Sequence, residues 1–172
     1  MKKIVSASRR SDLVASFPDW LATVVKKELA HVYGPSGHTY RVDLKPASIH
    51  TFVLWSKNYD NLINDRFELR RALEKYDQLY IHFTITGLGG TPVEKGVPFP
   101  AEAIAQLDAL IKITGRADRI SVRFDPVLYW KERGKDRSNL CFFSELAPVL
   151  EQKGIKSVRL SFAQWYAKAK RR

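Results

Sequence analysis

The chain has 172 residues, 45% apolar and 12% aromatic, and its 29 Lys and Arg against 18 Asp and Glu give a formal charge of +11. That length suits one domain burying roughly two thirds of its unfolded surface, and no apolar run approaches the roughly twenty residues of a membrane-spanning helix. A single cysteine, Cys141, excludes an intramolecular disulfide and any cysteine-built metal or iron–sulfur site.

The opening Met1-Lys2-Lys3 precedes only IVSAS, too short an apolar core for a signal peptide, so a cytoplasmic location is expected. Lys and Arg outnumber Asp and Glu nine to four over residues 1–58 and eleven to four over 127–172, but stand at nine against ten between. Such an excess points to an anionic partner (phosphate, nucleotide or nucleic acid), or only to solubility and a basic tail, KAKRR. His31, His38, His50 and His82 show no ligand spacing, and no metal is assigned. Cys141, in the run CFF, reads as a small core residue.

Lys3 to Asp12 (KIVSASRRSD) begins as a short apolar strand and ends in serines, arginines and an aspartate. Pro18 then opens a helix to about Leu29, with Trp20, Leu21, Val24, Val25 and Leu29 at helical spacing. His31 to Leu44 holds Gly34-Pro35-Ser36-Gly37 between two alternating runs, which predicts a hairpin. Ile49 to Asn58 reads as the second strand, followed by one helix from Tyr59 or Asp60 to Lys75 with Phe67 on its inner face. The third strand, Leu79 to Gly87, runs into a glycine-rich loop that is either a flexible turn or a backbone cradle for phosphate. A helix from Pro100 to Gly115, a strand from Ile120 to Pro126, a charged loop (Lys131 to Arg137), a helix from about Asn139 to Gln152 and a strand from Ser157 to Gln164 complete the order.

Strands separated by helical segments predict an α/β fold with a parallel sheet whose functional groups gather at the strands' carboxyl ends. About five strands are too few for a closed eight-stranded barrel. An open, incomplete TIM-like barrel with a small hairpin insertion is therefore expected, as one domain over residues 1–172. Its exposed edge predicts a homodimer.

Convergence of the strand ends would bring together Arg9, Arg10, Asp12, Lys57, Asn58, Thr86, Arg123 and Asp125. Adjacent Arg9 and Arg10 point to opposite sides, and Asp12 is placed to fix the Arg10 guanidinium. Arg123 and Asp125 share one strand face by the two-residue period, as a structural ion pair or as part of a site. No Ser-His-Asp, Cys-His or paired-glutamate arrangement is visible, so no reaction is assigned. The cations suit an anionic ligand; a basic nucleic-acid-binding module without catalysis is the alternative.

The motifs SASRRSD, VLWSKN (53–58), FTITG (83–87) with Glu94 to Pro98 after it, RFDP (123–126) and LSF (160–162) occur in one order along the chain. Together they resemble the bacterial domain-of-unknown-function family numbered 1848. The resemblance implies a barrel-like fold related to radical S-adenosylmethionine enzymes, with strand-end motifs similar to the spore photoproduct lyase-like branch. It carries over Ser8, Arg9, Arg10, Asp12, Lys57, Asn58, Thr84, Thr86, Gly87, Arg123 and Asp125 as candidate ligand-binding positions and assigns no catalytic residue. An iron–sulfur cluster and S-adenosylmethionine would enter only through a longer protein with clustered cysteines. The expectation is thus an amino-terminal portion of such a protein, or a shortened relative, inactive alone and with no cofactor in this chain.

Overall fold

The computed structural model describes residues 1–8, 10–34 and 36–163. Arg9, Gln164 and the tail from Trp165 to Arg172 lie outside the described residues. Strand β1 (Lys3–Ala7) leads into α1 (Leu13–Ser16), α2 (Pro18–Lys26) and a hairpin of β2 (Leu29–Tyr33) and β3 (Thr39–Asp43). Strand β4 (Ile49–Ser56) precedes α3 (Asp60–Ile63), a 3-10 turn (Arg66–Glu68) and α4 (Leu69–Leu73). Next come β5 (Gln78–Thr84), α5 (Pro100–Thr114), a second 3-10 turn (Ala117–Arg119) and β6 (Ile120–Val127). A hairpin of β7 (Tyr129–Glu132) and β8 (Lys135–Ser138), then α6 (Leu140–Gln152) and β9 (Ser157–Phe162), follow.

The five expected strands form one parallel sheet in the order β1-β4-β5-β6-β9, each beside its predecessor along the chain. Among the described residues β1 and β9 are the edges, and no pairing closes one onto the other. Right-handed crossovers between successive parallel strands put their helices on one face, and α1 packs on α3, α2 on α4 and α3 on α5 as a single layer. Against it the strands present Phe52 and Leu54, Leu79, Ile81 and Phe83, and Ile120, Val122 and Phe124, all buried. Each such burial is worth about 1.5–3 kcal/mol. Helix α5 is bounded as its sequence predicts. Pro100 starts it, the Glu102 carboxylate accepts the Phe99 N–H at 2.9 Å, and Gly115 ends it at φ 76°.

Three expectations are corrected. The helix over 59–75 breaks into α3, a 3-10 turn and α4, because Asp65, Phe67 and Glu68 take left-handed φ of 52°, 58° and 58°. Asp65 anchors the break by accepting the Arg71 N–H and pairing with the Arg70 and Arg71 side chains. Leu62, Leu69 and Leu73 still face inward, whereas Phe67 is exposed. The charged segment from Lys131 to Arg137 forms the β7–β8 hairpin rather than a loop, turning at Arg133 and Gly134 with φ of 49° and 76°. Positive φ at both central residues is what a tight two-residue turn requires. Cys141 is exposed, its Sγ donating to the Ser138 carbonyl, while Phe142 and Phe143 pack against the core. No helix among the described residues is long and apolar enough to cross a membrane.

The hairpin β2–β3 is tied down by Tyr76, whose hydroxyl donates to the Leu44 carbonyl at 2.7 Å. Burial, reinforced by the Glu28 and Asp43 carboxylates, pushes the Tyr76 phenol up to about 12. A raised phenol pKa contributes stability that is complete below the ordinary value near 10 and is lost as pH rises through about 12. Tyr76→Phe is therefore expected to cost about 1–2 kcal/mol at pH 7, while its stability declines less steeply than wild type between those two pH values. Urea titrations at stepped pH measure both.

Candidate functional site

Side chains alternate across each strand, so the residues opposite the helix-covered face can be read from the register. They are Val53 and Trp55 of β4; Tyr80, His82 and Thr84 of β5; Ser121, Arg123 and Asp125 of β6; and Ser157, Arg159 and Ser161 of β9. Trp55 stacks on His82 with ring centroids 3.8 Å apart, and the Arg123 guanidinium lies 5.1 Å from the Trp55 ring, within cation–π range. Arg123 pairs with Asp125, which also accepts the Ser161 hydroxyl. The shared face expected for Arg123 and Asp125 is thus present, and pairing offsets the cost of charges on a sheet face.

At the carboxyl ends of β1, β4, β5 and β6 this face opens into a cavity of about 300 Å3. Ser8, Arg10, Ser11, Asp12, Trp55, Ser56, Lys57, Thr84 and Arg123 line it. Ser8, held at φ 51°, accepts the N–H groups of Arg10 and Ser11 on its hydroxyl, each at 3.1 Å, and so folds the segment after β1 around the cavity.

Asp12 is the joint between the first two strand ends. Its carboxylate accepts the Ala15 N–H at 2.8 Å, capping α1, and on the other oxygen the Ser56 hydroxyl at 2.8 Å and the Lys57 N–H at 3.1 Å. The expected bond from Asp12 to Arg10 is replaced by these three, because backbone donors at a helix start compete directly for the carboxylate. Arg10 forms no salt bridge among the described residues.

Lys57 pairs with Glu94, a nearly buried carboxylate that also accepts the Thr86 hydroxyl at 2.7 Å. This bond ties the loop after β5 to the end of β4. Asn58 turns away, its side-chain oxygen accepting the Asp60 N–H at 3.0 Å and the Gln106 amide at 2.9 Å. Thr86, Gly87, Asn58 and Asp125 therefore flank the cavity rather than line it. Gly87 has φ 76°, and a Cβ there would meet the Phe142 ring at 2.5 Å; one on Gly89 would meet the Pro98 carbonyl oxygen at 1.8 Å. These glycines serve close packing of the loop, which accounts for them without a phosphate cradle.

Ser11, Trp55, Ser56 and Glu94 were not singled out by the strand-end pattern. The two-residue period that pairs Arg123 with Asp125 also carries Trp55 and His82 to the same face once parallel register is known. The lining gathers the side chains of Arg10, Lys57 and Arg123 with the hydroxyls of Ser8, Ser11, Ser56 and Thr84 and the Asp12 carboxylate.

A family model described as Domain of unknown function (DUF1848) matches residues 4–172. The chain belongs to this family. Comparison with curated proteins found no match, and comparison with solved structures found none either. In this DUF1848 chain all five motifs fall within the matched span, at or just beyond the carboxyl ends of sheet strands.

Proposed function

We propose that the strand-end cavity binds a small ligand carrying a phosphate or similar anionic group. In the same proposal the open sheet is a part-barrel of the radical S-adenosylmethionine type that binds without a redox centre of its own. The observation carrying the first half is that Arg10, Lys57 and Arg123 converge on one cavity while Arg10 keeps its guanidinium clear of any salt bridge among the described residues. Sequential parallel strands with helices on one side support the second half, since this is how successive units of a barrel are arranged. One exposed cysteine, and no gathering of three His, Cys, Asp or Glu among the described residues, does not fit an iron–sulfur cluster, so no step is routed through one.

Isothermal titration with inorganic phosphate and with adenosine monophosphate tests the binding reading. Arg10→Ala is expected to weaken binding about tenfold, as loss of a charge-assisted contact should, whereas Lys112→Ala on α5 should leave it unchanged. No heat at millimolar ligand, or equal binding by Arg10→Ala, defeats it.

A second reading, a nucleic-acid-binding module, draws on the β7–β8 hairpin, where exposed Tyr129 and Trp130 stand beside Lys131, Arg133, Lys135 and Arg137. It expects single-stranded oligonucleotides to bind at low salt, to be released steeply as salt rises, and to be weakened by Arg133→Ala with Lys135→Ala but not by Arg10→Ala. The proposal also includes a homodimer, supported by exposed Leu160 and Phe162 on edge strand β9. Light scattering should then give twice the chain mass. A cytoplasmic location is part of the same proposal and accords with the exposed thiol of Cys141.

A further inference from the structure

The other edge of the sheet, β1, pairs only with β4 among the described residues. Along its free side run two cavities of about 520 and 620 Å3, separated by the shared residues Val5 and Val42. Every residue from Lys3 to Ser8 lines one or the other. Since neighbouring side chains of a strand point to opposite faces, an unbroken run of lining residues means that the cavities lie against the strand's backbone edge. Across the cleft stands β3, where Tyr40, Arg41, Val42 and Asp43 also line it consecutively and pair only with β2. The Lys3 N–H donates inward to the Ser48 carbonyl, and the register shift after it adds a residue on β4 and none on β1. By alternation the backbone groups of Ile4 and the N–H of Ser6 point into the cleft, the Ser6 carbonyl accepting the Ser8 N–H at 3.1 Å.

Two chemical properties of this cleft restrict what can fill it. Exposed Ile4, Trp20, Val32, Tyr33 and Tyr40 surround it, a concentration of apolar surface that soluble chains rarely leave uncovered. Its charges are mostly positive. Lys3, Arg10 and Arg41 form no salt bridge among the described residues, and the one lining carboxylate, Asp43, accepts the Lys45 N–H and the Ser48 hydroxyl and stays ionised with Lys3 and Lys45 near it. We infer that the cleft between β1 and β3 receives an extended peptide segment of a partner protein, with alternating apolar side chains and acidic flanks, which pairs with the open edge of β1. Main-chain bonds to Ile4 and Ser6 would supply affinity, the apolar floor would select alternate side chains, and the basic rim would select acidic ends.

The test is selection of a displayed random octapeptide library on the full chain, followed by fluorescence anisotropy of the enriched peptides. Enriched peptides are expected to alternate apolar residues and to carry Asp or Glu at their ends. Ile4→Pro removes an outward N–H on an edge strand, where proline is tolerated, and should weaken binding about tenfold or more with the melting temperature unchanged. Val32→Glu, which places a negative charge on the apolar wall, should weaken it comparably and covers the case in which Ile4→Pro fails to fold. The proposal is overturned if no peptide is enriched over blank support, if enriched peptides are basic, or if both variants bind as wild type. It is also overturned if light scattering shows a dimer that Ile4→Pro converts to monomer, since a second copy would then fill the cleft.

Discussion

Replacing Asp12 with alanine is expected to lower the unfolding free energy by about 2–4 kcal/mol, from loss of a helix cap worth about 1 kcal/mol and from the stranded Lys57 N–H. For a chain of this size that is a fall in melting temperature of about 5–12 °C. Through three bonds this carboxylate joins the start of α1 to the end of β4. Asp12→Asn keeps one oxygen acceptor and should lose less than half as much. Thermal melts and urea titrations of the two variants decide the matter, and a loss below about 1 kcal/mol in Asp12→Ala would mean that the joint is held by other contacts.

Glu94→Gln is expected to move stability and ligand binding in opposite directions. Loss of the carboxylate that pairs with Lys57 should cost about 1–3 kcal/mol, less than the 3–5 kcal/mol of a fully buried pair, because Lys57 remains 35% exposed. The same change frees the Lys57 ammonium to face the cavity, so phosphate should bind about three- to tenfold more tightly. Stability and phosphate titration measured on one preparation separate the effects. Weaker binding in Glu94→Gln would show that the pair positions Lys57 for the ligand rather than withholding it.

The parts of this architecture legible in the chain were those governed by short-range periodicity. Strands β4, β5 and β6 announce themselves by β-branched and aromatic runs, and the two-residue period placed Arg123 with Asp125 and Val122 with Phe124 on opposite faces, as found. Gly34 to Gly37 marked the first hairpin because turn residues interrupt two alternating runs. The second hairpin carries no apolar alternation, since Tyr129, Trp130, Lys131 and Glu132 are all exposed; only the Arg133-Gly134 pair signalled its turn. The sequence points to one helix over 59–75 because helical periodicity survives a break when Leu62, Leu69 and Leu73 still point inward, and left-handed φ at Asp65, Phe67 and Glu68 leaves no periodic trace. Trp55 over His82, and Glu94 reaching Lys57 across 37 residues, depend on register and loop path, which composition does not encode.

Because the sheet order repeats the chain order, no strand must wait for a distant segment before finding its neighbour. Once residues to Thr84 have left the ribosome, β1, β4 and β5 have their mutual partners available, and β6 and β9 can each be added to an edge that is already formed. Folding can keep pace with synthesis, with the loop-closure entropy of each step limited to one strand–helix unit. The growing chain is then a succession of partly built sheets, each ending in a fresh edge that the next strand to emerge is positioned to cover.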